Sequence, residues 1–285
     1  MVSIDPFGRT DKLDDNMLAA LVTRFEARGK NPRFAKMLGD CLDAMSIDRT
    51  ARVLDLGCGT GLAARAIAGR DDFSGHIIGV DLSPYLVAAA ARLASEESLA
   101  EHLEFVVGDV RALDFADGSF DAVVAHTLLS HVEDPLAVLK EAARMVRPGG
   151  MIGVFDGDYA SLTFDHPDPA KGTAYDEALI SALVTNPRVM RQLPRLLRAA
   201  GLELVASASY VLSEIGKADF WASAIDAYRK LAVKAGVLTE REANAWAAAL
   251  HGDSDAGIFF GSSNYYTYYT YVARRPNGER VPPAS

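Results

Sequence analysis

The residues best suited to chemistry gather in one stretch, Val53-Leu54-Asp55-Leu56-Gly57-Cys58-Gly59-Thr60-Gly61. An apolar run feeds a turn carrying three glycines, and a helical pattern follows. Glycine lets a backbone approach a ligand closely, and a helix start offers unpaired N–H groups and a partial positive charge. The spacing is not the dinucleotide fingerprint G-x-G-x-x-G, because Gly61 arrives one residue early. Nor is it a P-loop, which would end in Gly-Lys-Ser/Thr where this chain has Gly61-Leu62. Asp55, ahead of the first glycine, suits a cationic amino group better than a pyrophosphate. A second carboxylate, Asp81, lies in Gly79-Val80-Asp81-Leu82-Ser83-Pro84, twenty residues after Gly61. At that distance an acid can accept both hydroxyls of a ribose. Its competing role is a helix cap, which Ser83 could fill instead.

Other reactive side chains follow. Gly108-Asp109-Val110 comes after an apolar run, and His126-Thr127 ends another. His131 sits in Leu128-Leu129-Ser130-His131-Val132-Glu133-Asp134-Pro135, where it could equally cap the next helix or hold the loop. Asp156, Asp158 and Tyr159 follow a further run. Two nearby acids could bind a cation, but a hard cation wants several oxygen ligands, and the six histidines and two cysteines show no zinc spacing; no metal site is expected. Arg188, Arg191, Arg195 and Arg198 recur at three- and four-residue intervals, the pattern of a solvated basic helix face. A sharper reading turns Arg191 or Arg195 inward to hold an acidic substrate. Tyr265, Tyr266, Tyr268, Tyr269 and Tyr271 make a dense aromatic strand whose alternation separates 265, 269 and 271 from 266 and 268.

Positioning these residues requires a sheet. Apolar runs at 52–56, 76–80, 104–107, 122–125 and 151–155 alternate with helical patterns at 61–68, 84–97 and 135–146. Short Val- and Ile-rich runs separated by helices predict a parallel sheet covered on both faces. Two helices, 11–28 and 31–45, precede it. After 156 the rhythm breaks: a helix over 187–200, a strand over 202–210, helices over 217–234 and 239–250, and a final strand over 265–273. Thr239 and Glu242 have capping-box spacing. Open α/β sheets bind ligands outside the carboxyl ends of their strands, where Asp55, Asp81, Asp109 and His126 all fall.

Four such segments in this order resemble class I S-adenosylmethionine (SAM)-dependent methyltransferases, whose D-x-G-x-G-x-G signature matches Asp55 to Gly61. The similarity is greatest to the small-molecule branch that includes the ubiquinone and menaquinone biosynthesis C-methyltransferases. It covers about residues 50–156. The resemblance implies SAM as cofactor and a Rossmann-like α/β sheet of seven strands, the last antiparallel. It implies cofactor contacts from Asp55, Gly57, Cys58, Gly59, Gly61, Asp81 and Leu82. Asp109 and Val110 would read the adenine, and His126 and Thr127 would line the methionine end. His131 or His126 would act as base, needed only if the acceptor carries a proton that must leave. Arg191, Arg195, Asp158 and Tyr159 would meet the acceptor.

A minimal fold of this kind joins its last two strands by a short hairpin. Here helices intervene, and loops that long are usually functional. The expected organisation is a helical segment over 1–48, a SAM-binding core over 49–210, a helical insertion over 211–262, a last core strand over 263–275 and a flexible tail over 276–285. The insertion and the amino-terminal helices would form a lid. Phe220, Trp221, Ile225, Tyr228 and Trp246 would supply an apolar acceptor pocket or the seam between lid and core.

The 285 residues are 49% hydrophobic, enough for one large core, and the net charge of −9 disfavours a phosphate backbone as partner. Two cysteines and the absence of a basic-then-apolar leader read as a cytoplasmic protein. No run approaches the roughly 18 apolar residues of a membrane span. A nucleic-acid amino-methyltransferase would need Asn/Asp-Pro-Pro-aromatic where the chain has Ala125-His126-Thr127-Leu128. The expectation is a methyltransferase for a small molecule. A SAM-binding protein of the same fold with a regulatory role stays open, and the oligomeric state is not readable.

Overall fold

The computed structural model describes residues 5–272. The tail expected over 276–285 and the last residues of the expected final strand lie outside the described residues. Two helices come first, α1 (Asp15–Lys30) and α2 (Pro32–Ala44). The α/β half follows: β1 (Arg52–Leu56), α3 (Leu62–Ala68), β2 (His76–Asp81), α4 (Pro84–Glu96), β3 (Leu103–Val107), β4 (Phe120–His126), α5 (Pro135–Met145) and β5 (Val146–Phe164). The remainder is α6 (Pro169–Leu183), α7 (Val189–Ala199), β6 (Leu202–Gly216), α8 (Phe220–Lys234), α9 (Glu240–Ala256) and β7 (Phe259–Val272).

Four helix starts share one device. Asn31, Ser83, Asp134 and Asp168 each accept a backbone N–H of the first turn, and a proline stands next in sequence. Proline at the first helical position loses no needed hydrogen bond and has its φ already set. Thr239 and Glu242 close a reciprocal capping box on α9.

The seven strands form one sheet in the order β3-β2-β1-β4-β5-β7-β6. The first five are parallel, and β7 runs antiparallel to both β5 and β6. This is the Rossmann-like methyltransferase arrangement the sequence predicts. Strand residues alternate between two cores. Val53, Ile77, Ala122 and Val124 pack with α2, α3, α8 and α9 on one side. Leu54, Leu56, Ile78, Val123 and Ala125 pack with α5 and α7 on the other. Burying both faces is what makes the parallel strands nearly continuous apolar runs.

Four elements differ from expectation. β5 runs on to Phe164, β6 continues to Gly216 and β7 begins at Phe259, so the two outer strands pair over a long antiparallel ladder. α6 was not foreseen. Phe220, Trp221, Ile225 and Trp246 join the core against Phe164, Phe34 and the strands.

Candidate functional site

The strand order reverses between β1 and β4, and ligands of open α/β sheets bind outside the carboxyl ends at such a point. β1 enters the glycine turn there. Gly57, Gly59 and Gly61 all have left-handed φ, at 65°, 55° and 76°. A side chain on Gly57 would meet Leu128 at 2.5 Å. At Gly59 the nearest neighbour would be the Phe25 ring at 3.4 Å, so this glycine is the one whose Cα faces open space in the cleft.

Asp81, at the end of β2, is buried and aimed at that turn. It accepts from the Gly59 N–H at 2.9 Å and the Ser83 N–H at 2.9 Å. Its remaining partner is a hydroxyl, Thr10 Oγ1 at 3.3 Å. Ser83 itself caps α4, so Asp81 is released from that task. Burial pushes its carboxyl above the usual range, against these hydrogen bonds.

The opposite wall begins where β4 ends. His126 is buried, stacked on Phe155 at 5.0 Å, and its Nε2 has no hydrogen-bond partner. Burial, with the Arg28 charge beside it, drops its pKa to about 3, so the ring stays neutral. Thr127, with φ 52°, accepts from Arg28 at 3.0 Å. His131 faces the same cleft, and its Nδ1 lies 2.9 Å from Asp5 Oδ2. Burial favours the neutral imidazole, but the carboxylates of Asp5 and then Asp156 outweigh it and hold His131 above its ordinary value. The cleft is closed by Arg24, Phe25 and Arg28 from α1, Leu179, Ile180 and Leu183 from α6, Ala227 and Tyr228 from α8, and Tyr159 and Tyr265 from the sheet.

Eight of the residues assigned to the cofactor, base or acceptor from the sequence thus meet in one cleft: Gly57, Cys58, Gly59, Asp81, His126, Thr127, His131 and Tyr159. Leu82, Asp109 and Val110 line a second hollow with Arg9, Arg111 and Glu133. The segment 8–11 runs between the two, Thr10 lining the first and its neighbours the second. Asp109 is held by Arg111 at 2.7 Å, which keeps its carboxyl below the usual range.

Asp55, Gly61, Asp158, Arg191 and Arg195, also expected at the site, stand outside both hollows. Asp55 lies beneath the turn, wholly buried, accepting from the Ala64 N–H at 3.2 Å, and does not line the cleft. Gly61 packs against the Phe105 ring. Asp158 is taken by Arg191 at 2.9 Å, and Arg195 is exposed on the outer face of α7; none of the three lines either hollow. A guanidinium already paired with a buried carboxylate has little left for an acceptor. Asp156 is engaged by the Ser130 N–H and hydroxyl and the Gly157 N–H. Among the described residues no three metal-ligating side chains converge. Of the five aromatic and aliphatic residues expected at an acceptor pocket, Tyr228 alone lines the cleft; the other four are seam.

Sequence reasoning missed Arg24, Arg28 and Asp5. The arginines had a signal: with Leu21 and Phe25 they occupy positions i, i+3, i+4 and i+7, the inward face of α1.

Residues 54–154 match the methyltransferase domain family. An uncharacterized 37.1 kDa protein in transposon TN4556 of Streptomyces fradiae is 34% identical over 235 residues, covering 82% of this chain and 65% of that one. The sterol 24-C-methyltransferase erg6 of Aspergillus fumigatus is 39% identical over 112 residues, covering 39% of this chain and 29% of that one. This chain therefore spans less than two thirds of either relative. The crystal structure of the [4+2]-cyclase SpnF superposes with a TM-score of 0.54 at 24% identity, covering 84% of this chain and 81% of that one. The strand order and the family match agree: residues 54–154 are similar to the methyltransferase domain family, and the sheet around them has the Rossmann-like methyltransferase order.

Proposed function

We propose that the protein is a SAM-dependent methyltransferase acting on a small molecule in the cytoplasm. The observation that carries this reading is the Asp81 carboxylate. It is buried, fixed by the Gly59 and Ser83 N–H groups, and completed by a single hydroxyl from Thr10. A ribose hydroxyl is the same kind of donor and can replace Thr10. Gly59 leaves the space a nucleoside needs beside it. Arg28, reaching from α1 to Thr127 beside the end of β4, matches the carboxylate of a methionine tail, and the second hollow with Leu82, Asp109 and Val110 takes the adenine.

The cofactor supplies a methyl group on a positively charged sulfur. The protein's part is to hold a nucleophile in line with that carbon, which supplies much of the rate of a displacement whose leaving group is neutral. Asp81, the glycine turn and Arg28 would seat the cofactor, leaving the acceptor to be held in line by the cleft walls. Where the acceptor loses a proton, His131 Nε2 takes it only from the neutral imidazole, a form that Asp5 on Nδ1 shifts toward the alkaline side. His126, held neutral, is too weak a base for that step and instead shapes the wall.

The enclosing helices α1, α6 and α8 favour a small acceptor over a macromolecule and act as a lid. The resemblance to the quinone-biosynthesis C-methyltransferases, and the named sterol C-methyltransferase relative, support the reading of a small apolar acceptor. The fold is shared with a cyclase, so the chemistry must be measured. Calorimetry should show S-adenosylhomocysteine binding that Asp81→Ala weakens by about 1–3 kcal/mol, as for a lost charged hydrogen-bond partner. Unchanged affinity in that variant, or tighter binding of a nicotinamide dinucleotide, would overturn the cofactor reading. Turnover of SAM to S-adenosylhomocysteine with a panel of acceptors then separates an enzyme from a binding protein.

A further inference from the structure

The cleft is rich in hydrogen-bond donors and poor in acceptors on its α8 side. Arg24 donates to the Ser223 hydroxyl at 2.7 Å and lies 5.0 Å over the Phe220 ring. Among the described residues it has no carboxylate partner. Asp81 is the only carboxylate lining the cleft among the described residues, and it is committed to the glycine turn. Around Arg24 stand Tyr159, Tyr228 and Tyr265. Among the described residues no protein group accepts from or donates to any of their three hydroxyls, although Tyr268 and Tyr269 in the neighbouring sheet both donate to backbone carbonyls. Burial holds all three phenols above their ordinary pKa, so they remain neutral donors.

A guanidinium held by one hydroxyl and three phenols without protein acceptors line a half-enclosed, largely apolar cleft, so they are free to donate to a ligand in exchange for water. The rest of this wall is aliphatic, from α6. Taken with the proposed function, on which this rests, Arg28 is committed to the cofactor tail and one positive charge remains. We infer that the methyl acceptor is an apolar organic acid whose carboxylate is held by Arg24 and by the hydroxyls of Tyr159, Tyr228 and Tyr265. A single charge with neutral donors matches a carboxylate better than a doubly charged phosphate. It also explains why an arginine is placed on the inward face of α1, where an apolar residue would pack at less cost.

The test uses benzoate and its neutral isostere benzamide as probes, with calorimetry on the full chain with and without saturating S-adenosylhomocysteine. Benzoate should bind saturably and at least about tenfold tighter than benzamide, the worth of one hydrogen bond to a charged group. Arg24→Gln should abolish that preference while leaving S-adenosylhomocysteine affinity within about twofold, and Arg24→Lys should restore part of it, which rules out misfolding as the cause. Tyr265→Phe should weaken benzoate and leave benzamide unchanged. Equal binding of the two probes, no saturable benzoate binding, or a preference that survives Arg24→Gln would overturn the inference. So would an Arg24→Gln variant whose main loss is S-adenosylhomocysteine, since the anion would then be the cofactor's own carboxylate. Because benzoate is also measured without S-adenosylhomocysteine, failure of the cofactor to bind sinks the proposed function alone.

Discussion

Asp55 and Asp81 end adjacent parallel strands, and both are buried, yet they have different tasks. Asp81 faces the cleft; Asp55 faces down, accepting one N–H from the first turns of α3. Asp55 therefore has burial against it, one hydrogen bond for it, and the Asp81 charge nearby, and its pKa is pushed up to about 7. A carboxyl raised in the folded state keeps its proton where the unfolded chain has lost it. Its stabilising contribution is thus complete below about pH 4 and is lost as pH rises toward 7, with no further change above. Asp55→Asn keeps an acceptor for Ala64 without the charge. Denaturant unfolding should show the variant gaining on the wild type as pH rises through that window, by on the order of 1 kcal/mol or more at neutral pH. A gap that does not move with pH would mean the wild-type carboxyl is ionised throughout, and Asp55 would then be solvated.

At the scale of elements, the start of α8 shows how a helix can be capped from afar. No side chain at Asp219 does the work. Glu214, from the end of β6, accepts the N–H groups of Asp219, Phe220 and Trp221 at 2.9, 2.9 and 3.2 Å. One buried carboxylate thus satisfies three orphan donors and fixes the angle at which α8 leaves the sheet. Glu214→Ala should lower unfolding stability by about 1–3 kcal/mol, and Glu214→Gln by less, since an amide oxygen can still accept. Loss of near-native stability in neither variant would move the cap elsewhere. No local sequence rule announces this contact, because the acceptor lies six residues before the helix on another element. The parallel half is legible for the opposite reason: each strand there is a short apolar run bounded by a glycine turn or a cap-proline pair, and all its signals are local. α6 had such a pair in Asp168-Pro169, but Gly172 and Asp176 fall on its buried face, where an apolar stripe would have marked it. Arg24 and Arg28 were obscured likewise, since charge at helical spacing ordinarily means solvent. The acidic half of the site, Asp81 with the glycine turn, could be read from spacing; the cationic half depends on how α1 lies across the sheet.

For the whole molecule, the amino-terminal segment is the piece that joins distant parts around the cleft. The Asp5 carboxylate accepts from Thr185 N at 2.8 Å and Thr185 Oγ1 at 2.9 Å, between α6 and α7, and meets His131 between β4 and α5. Five residues later Thr10 reaches Asp81 at the end of β2. A ribose on Asp81 must displace Thr10, so cofactor entry and the seating of this segment are coupled. Burial raises Asp5, but the His131 imidazolium and the Thr185 donors outweigh it and leave it below its ordinary value, while His131 is raised by Asp5. The sign follows for each partner. The His131 contribution is complete below its unfolded pKa of about 6.5 and is lost as pH climbs through the raised folded value; the Asp5 contribution is present above about 3.8 and is lost as pH falls below it. The segment is therefore held through the neutral range and loosens on the alkaline side. Trypsin can report this, because Arg9 and Lys12 are exposed in the same segment. Cleavage there, normalised to an unstructured peptide, should accelerate between about pH 6 and about pH 9 as the imidazolium is lost. Asp5→Asn should be cut rapidly at both ends of that range, with the pH dependence flattened. A normalised rate that stays level with pH in the wild type, or an Asp5→Asn variant as protected as the wild type, would mean that packing of Phe7 and the tight approach of Gly8 to the His131 carbonyl hold the segment without the ion pair.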